Sequence, residues 1–137
     1  MAKSREAYVD TSAFIAFMDA SDRHHPLFAR LFATPPPLVT TPLVIAEGHG
    51  WFLRRFDSDR ALRFLALVET LAPLSLIPTG PTEIAAATGL LRRYADQPLT
   101  LADAVGLHLM AVRKIRVCWS TDRHLRLGGT PLAIDGG

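Results

Sequence analysis

The sequence predicts an α/β protein: a three-layer α/β/α fold with a central parallel sheet of four to five strands, built as one domain over residues 1–137. Three observations predict it. Short apolar runs of strand length alternate with longer runs of helix length, the pattern of a parallel sheet covered on both faces. The first strand, Ala7-Tyr8-Val9, leads straight into Asp10-Thr11-Ser12 and an apolar helix, so an acid stands at the edge where open α/β sheets take their ligands. The composition, 49% hydrophobic and 20% charged over 137 residues, is that of a globular chain long enough for one sizeable core.

Each element has a local reason. Thr11 or Ser12 caps the first helix, which carries Ala13 to Met18 and is broken by Asp19-Ala20-Ser21-Asp22. A second helix runs from His24 or His25 to Ala33. Its residues Leu27, Phe28, Leu31 and Phe32 share one buried face, and Pro35-Pro36-Pro37 stops it. Phe14, Phe17, Phe28 and Phe32 read as core rather than as a platform for stacking RNA bases. Leu38 to Thr40 is the second strand. Thr41-Pro42 then opens a helix, a capping hydroxyl followed by proline at the first helical position. That helix carries Leu43, Val44, Glu47, Trp51 and Phe52. Gly48 and Gly50 inside it each cost about 1 kcal/mol against alanine, and they either permit close packing or loosen the helix.

Asp57 or Ser58 starts the next helix, with Leu62, Leu65, Leu67, Val68 and Leu71 as its apolar positions. Leu74 to Ile77 is the third strand. A helix from about Thr82 to Tyr94 follows, then the turn Asp96-Gln97-Pro98. Thr100 starts a strongly apolar helix that finishes in the basic run Arg113 to Arg116, which suits a helix C-terminus. Val117 to Ser120 is the fourth strand, and Pro131 to Ile134 a short fifth.

Charge and cysteine usage narrow the setting. The net charge of +2 permits a nucleic-acid partner without announcing one. Arginine pairs, Arg54-Arg55 and Arg92-Arg93, suit phosphate through their planar fork, although solvated helix faces explain them as well. No stretch approaches the roughly 20 apolar residues of a membrane span, so no membrane is expected as a partner. The N-terminal Met-Ala-Lys-Ser-Arg-Glu lacks the apolar core of a signal peptide. Cys118, the single cysteine, leaves no internal disulfide, and a cytoplasmic location is expected.

Four acids carry the chemistry. Asp10 and Asp122 follow the first and fourth strands, Glu47 lies in the helix after the second, and Asp103 lies in the first turn of the most apolar helix. Each aspartate has a structural explanation. Asp10 and Asp122 are in position to cap helices, and Asp103 follows Thr100 at capping-box spacing. Glu47 sits on the stripe of Val44, Gly48 and Trp51, where a carboxylate needs a partner. Four acids in one pocket repel one another, raise at least one pKa, and call for a hard divalent cation, Mg²⁺ or Mn²⁺. Zinc does not suit a chain with one cysteine. Such a site favours displacement at phosphorus by a metal-activated water.

Val9-Asp10-Thr11-Ser12-Ala13, Glu47 in the helix after Thr41-Pro42, Leu101-Ala102-Asp103-Ala104 and Ser120-Thr121-Asp122-Arg123-His124 resemble, in that order, the motifs of PIN-domain ribonucleases, and within them the VapC-type toxins of toxin–antitoxin pairs. The resemblance covers essentially the whole chain. It implies a Mg²⁺- or Mn²⁺-dependent endoribonuclease with RNA as substrate, a cognate VapB-like antitoxin and a homodimer. Asp10 and Asp103 would hold the main metal, and Glu47 and Asp122 would complete its shell through water or hold a second ion. Ser12 would orient Asp10 or the metal's water, with Thr121 acting similarly beside Asp122. Asp96 matches an acid often found before the third motif, although a solvated turn residue explains it better. The segment after Asp122 departs from the pattern: no phenylalanine follows. His49, His108 and His124 are not needed as bases where a metal activates the water.

Two other readings remain open on sequence. One is a non-catalytic PIN-like module that binds RNA or protein. The other is a phosphoacceptor domain of the receiver type, which would need an early pair of acids and a lysine after its last strand; both are missing.

Overall fold

A computed structural model describes residues 4–136. The N-terminal Met-Ala-Lys, the start of the segment read above as lacking a signal peptide, lies outside them. In chain order the elements are β1 (Ser4–Val9), α1 (Thr11–Met18), α2 (His25–Ala33), β2 (Leu38–Thr40), α3 (Pro42–Arg55), α4 (Ser58–Thr70), β3 (Leu74–Leu76), α5 (Pro81–Arg93), α6 (Leu101–Val112) and β4 (Ile115–Trp119). The described residues form a four-stranded, all-parallel sheet in the order β3-β2-β1-β4. The helices pack in two groups, α1 with α2 and α3 and α3 with α4, and α5 with α6, which the right-handed rule for parallel crossovers puts on opposite faces of this sheet, giving the expected three layers. No described helix is long and apolar enough to cross a membrane.

The strand order fixes where a ligand can sit. From β1 the chain moves outward to β2 and β3 on one side, then returns to β4 on the other. A crevice therefore opens past the carboxyl ends of β1 and β4, the topological switch point. The register pairs Tyr8 with Cys118 and Val9 with Trp119, and Asp10 N–H donates to the Trp119 carbonyl at 3.0 Å. That pairing sets Asp10 beside Ser120.

Central position explains the composition of β1. Ala7, Tyr8 and Val9 are fully or almost fully buried, as both faces of a covered parallel strand must be. The phenylalanines expected in the core are there. Phe14 and Phe28 are fully buried, and Phe14 meets Phe32 at 5.7 Å and Phe64 at 5.4 Å between ring centroids. Leu125 is fully buried after Asp122, where the missing phenylalanine left the packing in question.

Four readings are corrected. The fifth strand does not form: Leu132 makes a single bridge to Cys118, and Ala133–Asp135 closes a 3₁₀ turn instead. Asp10, rather than Thr11 or Ser12, is the N-cap of α1. In α4 the core positions are Ala61 and Phe64, while Leu62 is 61% exposed. The basic run does not end α6 as a block. Arg113 caps the helix, Lys114 turns the chain with φ +54°, and Ile115 and Arg116 already belong to β4. Arg113 then forks onto Glu6 of β1 at 2.7 and 3.0 Å.

Gly48 is settled by contact. A Cβ there would stand 2.5 Å from Cζ of Phe64, a fully buried ring wedged against Phe14 and Phe52. The missing side chain lets α3 and α4 close. Gly48→Ala is therefore expected to destabilise the protein by about 1–3 kcal/mol through overpacking. Gly89, also mid-helix, has nothing within 4 Å of its Cβ position. Gly89→Ala is expected to raise stability by up to about 1 kcal/mol. Urea unfolding of the two variants checks the contrast; equal shifts would contradict it.

Candidate active site

The crevice at the switch point is a cleft of about 280 Å³. Glu47, Asp103 and Asp122 line it together with Ser12. Asp10 does not line it; it is 6% exposed and joins the cleft through Ser12, whose hydroxyl donates to it. The expected site residues thus converge from β1, α3, α6 and the turn after β4.

Asp10 is held from both sides of the β1–β4 seam. Its Oδ2 accepts from Ser12 Oγ at 2.8 Å and Ser120 Oγ at 3.0 Å. Each hydroxyl is itself fixed by a backbone donor: Thr121 N–H to Ser12 Oγ and Asp122 N–H to Ser120 Oγ, both at 2.9 Å. With one proton apiece spent on Asp10, the two hydroxyls touch at 3.1 Å without a proton between them. Thr121 therefore contributes its backbone, and the side chain that parallels Ser12 is Ser120.

The other three acids are anchored in the same economical way. Glu47 Oε1 accepts from Thr11 Oγ1 at 3.0 Å. Asp103 Oδ2 accepts from Thr100 N–H, and Asp103 N–H donates to Thr100 Oγ1, both at 3.1 Å, completing the capping box. Asp122 Oδ1 takes the backbone N–H of His124 at 3.0 Å and its Nδ1 at 2.8 Å. Among the described residues, every one of these bonds falls on a single oxygen of each carboxylate. The second oxygens, Asp10 Oδ1, Glu47 Oε2, Asp103 Oδ1 and Asp122 Oδ2, take none of them.

The electrostatics are those of carboxylates set close together and partly desolvated. Burial pushes the Asp10 carboxyl up to about 6, the Ser12 and Ser120 bonds oppose that, and the Asp103 charge adds to it. Burial also raises Asp103, with Asp122 adding to the rise. Glu47 is raised by desolvation first and then by Asp103 and Asp122.

A hard divalent cation fits the chemistry of this donor set: anionic, all-oxygen ligands whose repulsion it would relieve. Among the described residues no group of three or more His, Cys, Asp or Glu side chains is placed to hold a metal ion. Mg²⁺ does not require one, since it keeps several waters and takes one or two carboxylates.

Residues outside the set are accounted for. Asp96 is exposed, and among the described residues the side-chain bond it accepts comes from Gln97 at 3.4 Å. His49 lines a separate apolar groove between α3 and α4, and His108 a cleft between α5 and α6. His124 touches the site through Asp122 alone among its hydrogen bonds. Sequence reasoning missed Thr11 as the partner of Glu47, Ser120 as the partner of Asp10, and Arg54 and Trp51 as cleft walls.

Comparison with known proteins identifies the family and the fold. A PIN-domain sequence profile matches residues 7–128. Ribonuclease VapC26 of Mycobacterium tuberculosis is 30% identical over 118 residues, covering 84% of this chain and 85% of the relative. Among solved structures, VapC20 of M. tuberculosis, described as a sarcin–ricin-loop-cleaving toxin, superposes with a TM-score of 0.82 at 23% identity, covering 90% of this chain and 95% of that one. A chain of a toxin–antitoxin complex from Klebsiella pneumoniae superposes with a TM-score of 0.62 at 17% identity, covering 92% and 94%.

The raised Asp10 carboxyl gives a pH prediction for metal-free protein. The folded state binds this proton more tightly than the unfolded chain, so between about pH 4 and 6 it holds more protons and its stability falls as pH rises. Asp103 and Glu47, raised in the same direction, act with it. The shift from 3.8 to about 6 corresponds to about 3 kcal/mol at neutral pH. Urea unfolding in EDTA is expected to show Asp10→Asn more stable than the parent at pH 7 by up to that amount, with the advantage vanishing near pH 4. An advantage independent of pH would contradict the assignment.

Proposed function

The chain belongs to the PIN-domain family, in its VapC-type branch, and from that premise we propose that it is a metal-dependent endoribonuclease, the toxin of a toxin–antitoxin pair. The observation that carries the proposal is that Glu47, Asp103 and Asp122 line one cleft while Asp10, bonded to the cleft residue Ser12, lies buried next to them, each carboxylate anchored by a hydrogen bond from the chain. A non-catalytic binding module would not need four crowded anions with three raised pKa values. In this reading residues 1–137 act as one PIN domain in the cytoplasm, where the buried free thiol of Cys118 is stable.

Asp10 and Asp103 are the proposed principal ligands of Mg²⁺ or Mn²⁺, with Glu47 and Asp122 completing the shell. When bound, the cation would supply Lewis acidity to the scissile phosphate and lower the pKa of the attacking water. The chain's own contribution is preorganisation. Ser12 and Ser120 lock the Asp10 carboxylate from two sides, so its second oxygen has one direction to face. Thr11 does the same for Glu47 and His124 for Asp122. Because the Asp10 carboxyl is pushed up to about 6, cation binding to it competes with a proton and strengthens as pH rises through about 6.

A protein partner also fits the surface. Leu53, Phe56 and Leu62 on α3, its end and α4 are 46%, 38% and 61% exposed, and an open apolar groove lies between α3 and α4, lined by Pro42, Ile45, Ala46, Leu65 and the 47% exposed Leu76. We assign this apolar surface to partner proteins, a VapB-like antitoxin and a second copy of the chain.

Purified protein with Mg²⁺ or Mn²⁺ is expected to cut RNA, and EDTA to stop it. Asp10→Asn and Asp103→Asn should reduce cleavage to background, while Glu47→Gln and Asp122→Asn should lower it by about 10–100-fold, as outer partners of a metal do. RNA affinity without cleavage under any divalent ion would favour the binding-module reading. Undiminished cleavage by an Asp10→Asn/Asp103→Asn double variant would sink the nuclease reading.

A further inference from the structure

The acidic cleft has a cation in its wall. Glu47, Trp51 and Arg54 stand at i, i+4 and i+7 on α3, so one stripe of the helix carries a carboxylate, an indole and a guanidinium. All three line the cleft with Asp103 and Asp122. Arg54 is the one Lys or Arg among the described residues that does so. It is exposed, and among the described residues it is in none of the ion pairs. Its charge is available to an anion from outside.

Gly50 shapes how Arg54 lies. A Cβ on Gly50 would stand 2.9 Å from Nη1 of Arg54 and 3.8 Å from Cζ. The guanidinium is folded back over the position of the missing side chain, one turn nearer Glu47, in the direction long side chains take on a helix. Arg55 next to it is the natural control. Both arginines sit in the last turn of α3, where the helix dipole favours a cation. Yet Arg55 does not line the cleft, and its guanidinium lies 5.6 Å from the Phe56 ring centroid.

An RNA strand entering a cleft of carboxylates needs compensation for its own charge beyond the reacting centre. A guanidinium fork binds a phosphate through two parallel bonds, and single-stranded nucleic acid is commonly held by such a cation beside an aromatic face. We propose that Arg54 is a substrate-binding residue that takes an RNA phosphate flanking the scissile one, seated over Gly50, with the half-buried Trp51 walling the adjoining base. This rests on the ribonuclease reading for the identity of the substrate.

The test uses the full chain and a labelled single-stranded RNA of mixed sequence, with binding followed by anisotropy in EDTA and cleavage in Mg²⁺. Arg54→Gln is expected to raise Kd and KM about tenfold, as loss of a charge-assisted bond does, with kcat changed less than about twofold. The slope of log K against log salt should flatten by about 0.7, one phosphate contact on a single strand. Arg54→Lys should restore the slope, and Arg55→Gln should change neither slope nor Kd appreciably. Gly50→Ala, which keeps the charge but fills the seat, should raise Kd without lowering Tm. The proposal is overturned if Arg54→Gln and Arg55→Gln behave alike, or if Gly50→Ala leaves Kd unchanged. RNA binding with an Arg54-dependent slope but no cleavage would leave it standing and remove the nuclease reading. Cleavage that does not distinguish Arg54 from Arg55 would do the reverse, and a chain that binds no RNA would remove both.

Discussion

The Asp10 carboxylate, pinned between the hydroxyls of Ser12 and Ser120, is the constraint on which the site depends. An acid 6% exposed at the end of the central strand is costly in water-free surroundings, and its carboxyl pushed up to about 6 records that cost. The two hydroxyls offset part of it. They can do so because β1 and β4 run parallel in a register that sets Ser120 beside Asp10. The sheet order, the burial of β1 and the orientation of the first acid are consequences of one seam.

The structural and chemical explanations of the acids are not rivals. Asp10 caps α1, Asp103 completes the capping box of α6, and Asp122 caps the 3₁₀ turn Arg123–Arg126. Capping consumes one oxygen of each carboxylate and fixes its rotamer. The remaining oxygen is then preoriented at no further conformational cost. Glu47, which caps nothing, is anchored instead by Thr11, whose hydroxyl also reaches the Val44 carbonyl at 3.3 Å. On the proposed reading, helix starts would serve as mounts for metal ligands.

Much of this was legible in the sequence, and the failures share a cause. Elements were readable where the signal is local: Thr41-Pro42 opening α3, Thr100 and Asp103 opening α6, the proline run ending α2. The order of the four acids carried the family. What escaped needed knowledge of neighbours across the fold. Ser120 looks like any strand-end serine until β4 is laid beside β1. Leu62 outranks Phe64 only by counting leucines; the space beside Gly48 makes Phe64 the core residue. Arg54 and Arg55 are indistinguishable by composition, and their difference lies in which side of α3 meets the cleft. Pro131 to Ile134 had strand character but too little length beside β4 for more than one bridge.

The central claim is that Asp10 and Asp103 share one divalent cation. Anomalous diffraction from crystals soaked in Mn²⁺ tests it most directly, because it locates the ion without relying on activity. The account predicts a peak in the cleft bonded to Asp10 Oδ1 and Asp103 Oδ1, with Asp10 Oδ2 still held by Ser12 and Ser120, and no such peak in Asp10→Asn. A peak elsewhere, or a cleft that stays empty of Mn²⁺ while Asp10 serves only its helix, would contradict it.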